Sequence, residues 1–129
     1  MIDKLAWVHI DGGRVLCARS HHQEVYYLPG GKREAGESDE EALLREIREE
    51  LAVSLDAATI RPLGVFEAPA HGKPGVIVRM TCYTAAVTGQ PRPSAEIAEL
   101  AWLTYADRHR LSLAGQVVFD HLHAQGRLP

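Results

Sequence analysis

The chain has 129 residues, 46% of them hydrophobic and 24% charged, with a net charge of −3. These values match an ordinary globular domain with its own core over residues 1–129. A sequence pI of about 6.1 supplies no global basic field, which argues against DNA or RNA as a polymer partner but leaves single nucleotides open. The cysteines, Cys17 and Cys82, have no metal-ligand spacing and lie in apolar runs, as buried reduced thiols do. No apolar stretch approaches the roughly 18 residues of a membrane span, so no membrane partner is expected. Asp3 and Asp11 bracket the only apolar run near the N-terminus, unlike a signal peptide, and a cytoplasmic location is expected.

Leu5 to Ile10 reads as a short strand, Asp11-Gly12-Gly13 as a turn, and Arg14 to Arg19 as the returning strand. Val25 to Leu28 reads as another strand, stopped by Pro29-Gly30-Gly31, where two glycines suit a turn brought close to a ligand. Ser38 to Leu51 is the clearest helix. Ser38 and Glu41 form a capping box, and Asp39, Glu40 and Glu41 set negative charge on the positive end of the helix dipole. Leu43, Leu44, Ile47 and Leu51 make its apolar stripe. Beyond a connector at Asp56 to Thr59, Ile60 to Ala68 and Val76 to Val87 read as strands around a Gly/Pro loop. Thr88 to Pro93 reads as a loop, Glu99 to Leu103 as a strand, and Ser112 to Gln125 as a C-terminal helix. The pattern implies an α/β fold, a sheet sandwiched between helices.

The helix carries Glu46, Glu49 and Glu50 at i, i+3 and i+4, on one face centred roughly 120° from the apolar stripe. Like charges so placed destabilise a helix, which implies a cation to hold. Hard oxygen ligands suit Mg²⁺ or Mn²⁺ rather than zinc. Ala42 falls in the acidic arc, where a methyl leaves room for ions and phosphate.

The stretch Gly31 to Val53 resembles the signature of the Nudix hydrolases: Gly, five residues, Glu, seven residues, then Arg-Glu-aliphatic-x-Glu-Glu-x-Gly-aliphatic. Gly31, Glu37, Arg45, Glu46, Ile47, Glu49, Glu50 and Val53 stand in register. Ala52 replaces the glycine, which puts the geometry of the helix end in question because a left-handed residue other than glycine costs roughly 1–2 kcal/mol. The resemblance implies a MutT-like Nudix fold, a mixed sheet between helices, and metal-dependent hydrolysis of a nucleoside diphosphate linked to another moiety. It implies that Glu46, Glu49 and Glu50 ligate the metal with the Gly31 carbonyl, and that Glu49 or Glu50 orients or deprotonates the attacking water. Arg45 would support these glutamates. Glu37 would pair with Arg45 or bind a further ion.

In similar enzymes a glutamate before the tryptophan-containing strand reaches back to the metals or serves as base. Glu96 is the choice here and Glu99 the alternate. Arg19 is the first candidate for phosphate contact, with Lys32, Arg33, Lys73 and Arg79 as further cations, each also readable as a solvated charge. His71 is the histidine to watch as a pH-sensitive substrate contact. Trp7, Tyr26, Tyr27, Phe66, Trp102 and Tyr105 are stacking candidates, although strand aromatics more often serve the core. Trp7, opposite the apolar Ala6, Val8 and Ile10, is read as lining a cleft. The expected substrate is a nucleoside triphosphate, cleaved to monophosphate and pyrophosphate. ADP-ribose, a nucleotide sugar or a dinucleoside polyphosphate is the alternative, and a non-catalytic nucleotide-binding module the alternative of another class. The family includes monomers and dimers, so a homodimer is within its range.

Overall fold

The computed structural model describes residues 1–129. Strand β1 (Ile2–Trp7) is its hub. It pairs antiparallel with the two-residue β4 (Gly30–Gly31) on one side and parallel with β7 (Ile77–Thr84) on the other, and β6 (Arg61–Pro69) adds antiparallel to β7. A second, antiparallel sheet joins β2 (Ile10–Asp11), β3 (Arg14–Ser20) and β9 (Ile97–Leu103). A short ladder pairs β5 (Ser54–Leu55) with β8 (Val87–Thr88).

Helix α1 (Asp39–Leu51) and helix α2 (Leu113–Ala124) cover opposite faces of these sheets. Leu43, Ile47 and Leu51 of α1 pack with Leu5, Trp7 and Leu16. Val118, Phe119 and Leu122 of α2 pack with Ala6, Val8, Val15 and Cys17. Alternate residues of β1 and β3 therefore feed different apolar layers, as strands covered on both faces must. This corrects the reading of Trp7. Its ring is fully buried in the α1 layer and its indole N–H donates to the Ala85 carbonyl at 3.1 Å, so it lines no cleft. Ala42 is corrected in the same way: it is buried in the packed layer and is not open to the acidic face.

Several boundaries differ from expectation. β1 begins at Ile2 because Asp3 and Lys4 both have polar destinations, Asp3 in an ion pair with Arg33 at 3.1 Å and Lys4 in a cavity. The Val25 to Leu28 segment forms only isolated bridges, Tyr27 to Ala18 and Tyr26 to Leu111. A 3₁₀ helix at Tyr105–Arg110, with a Thr104–Asp107 capping box, lies where no element was expected. No helix is long and apolar enough to cross a membrane.

Helix α1 starts as its sequence dictates. The Glu41 amide donates to Ser38 Oγ at 3.1 Å and the Ser38 amide to Glu41 Oε1 at 2.9 Å. It ends at Ala52 in the left-handed conformation, φ 56° and ψ 33°. The helix thus stops as a glycine would stop it, and alanine carries the strain. Ala52→Gly is expected to raise the unfolding free energy by about 1 kcal/mol with turnover unchanged, as read by urea denaturation. A destabilised variant would contradict this account of the helix end.

Candidate active site

The end of β4, the acidic face of α1 and the residue preceding β9 meet at one end of a cavity of about 570 Å³. Glu46, Glu50 and Glu96 line it, together with Gly30 and Gly31. Gly30 is required by close approach to backbone, and Gly31 leaves room for the Glu46 carboxylate where it stands. A Cβ at Gly30 would overlap the Leu5 carbonyl, and one at Gly31 would overlap the Glu46 carboxylate. The Pro-Gly-Gly turn thereby lays backbone against the acidic face, and the Gly30 amide donates to Glu50 Oε1 at 2.9 Å.

Glu50 is the buried charged residue of the chain, 3% exposed. Its carboxyl is pushed up to about 8, first by burial and then by Glu96 and Glu46, against the pull of the Gly30 amide. Glu46 is also raised, mainly by burial, with Arg45 opposing. Carboxylic acids raised by burial and by one another's charge in a cavity are the usual mark of a functional site.

Arg45 organises the outer side. Its Nε and Nη2 bind both oxygens of Glu37 at 2.7 and 2.9 Å, and its Nη1 lies 3.0 Å from Glu46 and 3.5 Å from Glu49. Nη2 also donates to the Lys32 carbonyl at 3.0 Å, tying the glycine turn to the helix. Arg45 therefore touches Glu37, Glu46 and Glu49 at once. Glu37 is its bidentate partner, held down to about 2 by that guanidinium, and does not line the cavity. Glu49 stands exposed on the outer shoulder, outside the cavity wall.

The end of α1 positions Glu96. Two of its last carbonyls are taken by the loop between β8 and β9: the Arg92 amide donates to Leu51 O at 3.0 Å and the Ser94 amide to Glu50 O at 2.9 Å. Ala95 then turns through a left-handed conformation, φ 51°, and the His21 amide holds the Glu96 carbonyl at 2.9 Å. Glu96 faces Glu50 as a result. Glu99, the alternate, faces elsewhere: it accepts from Arg19 Nε at 2.8 Å and Tyr26 Oη at 2.6 Å.

The expected cations divide. Lys32 and Lys73 line the cavity, as does His71. Arg19 does not. The pair with Glu99 and a hydrogen bond from Nη1 to the Gln23 carbonyl at 2.9 Å occupy it, because β3 and β9 place residues 19 and 99 directly across from one another. Arg79 is corrected too, since it pairs with Glu67 across β6 and β7 at 3.2 Å. Arg33 is bound by Asp39 and Asp3. Of the aromatic candidates, Tyr27 alone lines the cavity. Lys4 lines it as well and was not among the cations read from sequence. Its only signal there was a charge in a short N-terminal apolar run, which had no meaning before the pairing of β1 with β7 was known.

The residues present suit a hard divalent cation. Glu46, Glu50 and Glu96 offer carboxylate oxygens at one end of the cavity, and Gly31, bare of a Cβ, lies against Glu46. No group of three acidic, histidine or cysteine side chains is by itself placed to hold a metal ion. An open set of this kind fits Mg²⁺, which keeps several waters and shares its coordination with substrate phosphates.

The family model for the NUDIX domain matches residues 5–121. No curated protein matches the chain. Among solved structures it is similar to the ORF135 protein of E. coli, with 23% identity, a TM-score of 0.76, and coverage of 98% of this chain and 91% of that one. It is similar also to a MutT NUDIX hydrolase from Burkholderia pseudomallei, with 25% identity, a TM-score of 0.76, and coverage of 92% and 95%. A third likeness, in fold alone, is to a bifunctional NMN adenylyltransferase/ADP ribose pyrophosphatase from Francisella tularensis, with 18% identity, a TM-score of 0.73, and coverage of 96% of this chain but 41% of the other. With the sheet, the flanking helices and the acidic end of the cavity in place, the chain belongs to the Nudix family and is a MutT-like pyrophosphohydrolase.

Proposed function

We propose that the chain, as a single catalytic domain over residues 1–129, hydrolyses a nucleoside triphosphate to nucleoside monophosphate and pyrophosphate, with Mg²⁺ or Mn²⁺ held by Glu46, Glu49, Glu50 and the Gly31 carbonyl. The observation that carries this reading is that Glu46, Glu50 and Glu96 line one cavity together with the Gly30-Gly31 turn. The cavity volume, about 570 Å³, lies within the range of small-molecule sites.

When bound, the metal neutralises phosphate charge and lowers the pKa of water. The chain's residues do the rest. Arg45 fixes Glu46 from outside, so the carboxylate does not reorganise as charge develops. Glu96, held opposite Glu50, accepts a proton as the water oxygen bonds to phosphorus and the anhydride P–O bond breaks, its bridging oxygen leaving with the other fragment.

A panel of nucleoside triphosphates and nucleotide conjugates, incubated with Mg²⁺ and analysed by mass, tests this. Monophosphate plus pyrophosphate is the expected product pair. Binding without product from any member would turn the reading into that of a nucleotide-binding module.

A further inference from the structure

We infer that Lys4 is a substrate-binding residue that, with Lys32 and Lys73, favours a substrate ending in a free phosphate over one whose phosphates are all esterified. This rests on the phosphoanhydride-hydrolase reading above and names the end of the substrate that the lysines would grip.

Lys4 shares a face of β1 with Ile2 and Ala6, and the register sets it beside Met80 of β7. The cavity floor there is otherwise apolar, formed by Ile2, Val78 and Met80. A partly buried ammonium in such a place is costly unless something answers its charge. Nothing in the chain does so directly. Lys4 makes no hydrogen bond through its side chain and no ion pair, although Glu46 and Glu50 line the same cavity. Burial first, then the charges of Lys32 and Lys73, lower its hold on its proton, with Glu50 and Glu46 pulling the other way. Three ammonium groups and three carboxylates therefore share one cavity.

This arrangement suits a chain of phosphates between two kinds of charge. A terminal phosphate carries roughly −1.5 to −2 near neutral pH, whereas a phosphate esterified at both ends carries a single charge. The lysines gain most from the former. Hydrogen bonds between ammonium and phosphate oxygen are charge-assisted and desolvated on the cavity floor, which makes them strong.

The test compares wild type with Lys4→Met, which keeps length and floor packing, and with Lys4→Arg, which keeps charge. Inorganic pyrophosphate in excess Mg²⁺ is titrated calorimetrically into each, and KM and kcat are measured for a triphosphate and for ADP-ribose. Lys4→Met is expected to weaken pyrophosphate binding and raise KM for the triphosphate by about tenfold or more, with a much smaller change in kcat. ADP-ribose should suffer less, and Lys4→Arg should recover most of the loss. Circular dichroism confirms folding; if Lys4→Met does not fold, Lys4→Gln replaces it. Undiminished pyrophosphate affinity in the neutral variant, or equal losses for pyrophosphate and ADP-ribose, would overturn the inference. Absence of turnover on every substrate would instead defeat the hydrolase reading, and the pyrophosphate titration would still report on Lys4.

Discussion

Glu50→Gln is expected to lower kcat by more than about 100-fold, beyond what loss of a residue supporting a metal ligand costs, while the folded protein becomes more stable at neutral pH. Both effects have one cause. Glu50 is buried, faces Glu46 and Glu96, and holds its proton up to about 8 against an ordinary value of 4.5. Between those pH values the folded, metal-free protein keeps a proton that the unfolded chain has released. Stability of the metal-free protein therefore falls as pH rises through this window, and the full penalty is present above it. The isosteric amide cannot ionise, so the variant should lose that slope. Denaturation midpoints from pH 4.5 to 8 in EDTA read the slope, and steady-state kinetics with Mg²⁺ read the loss of turnover. A variant with wild-type turnover would remove Glu50 from the reaction. A wild type with no fall in stability across the window would remove the electrostatic account.

Chelation should have an equally large effect. In excess EDTA turnover should vanish, and Mg²⁺ or Mn²⁺ should restore it. The acidic end of the cavity and a polyphosphate are both negative and repel without a cation between them. A cation that binds the folded protein and not the unfolded one also stabilises by mass action. Mg²⁺ should therefore raise the melting temperature of wild type, and do so less in Glu46→Gln or Glu50→Gln. Full activity in EDTA would contradict the account.

Helix α1 was legible in the sequence almost to the residue because three local signals agree: the Ser38–Glu41 capping box, the Leu43–Ile47–Leu51 stripe and the acidic first turn. The pairing of Arg45 with Glu37 and Glu46 was also accessible from short-range spacing, and the place of Glu96 in the cavity wall from its position just before a strand. What escaped depends on register between distant strands. Arg19 looked free until β3 and β9 set it across from Glu99. Trp7 was read as a cleft residue because alternation assumes one wet face, and β1 has none from Leu5 to Trp7. Lys4 acquired its place only when β1 was laid beside β7. Ala42 was judged by its angle on the helix alone, without the sheet that packs on that side.

Turnover of a nucleoside triphosphate in ¹⁸O-labelled water with Mg²⁺ shows whether water attacks phosphorus at this site. Attack of water on phosphorus at the acidic end of the cavity predicts one labelled oxygen, carried by either the monophosphate or the pyrophosphate, in every turnover. Unlabelled products, or labelled products formed at the wild-type rate by Glu50→Gln, would contradict it.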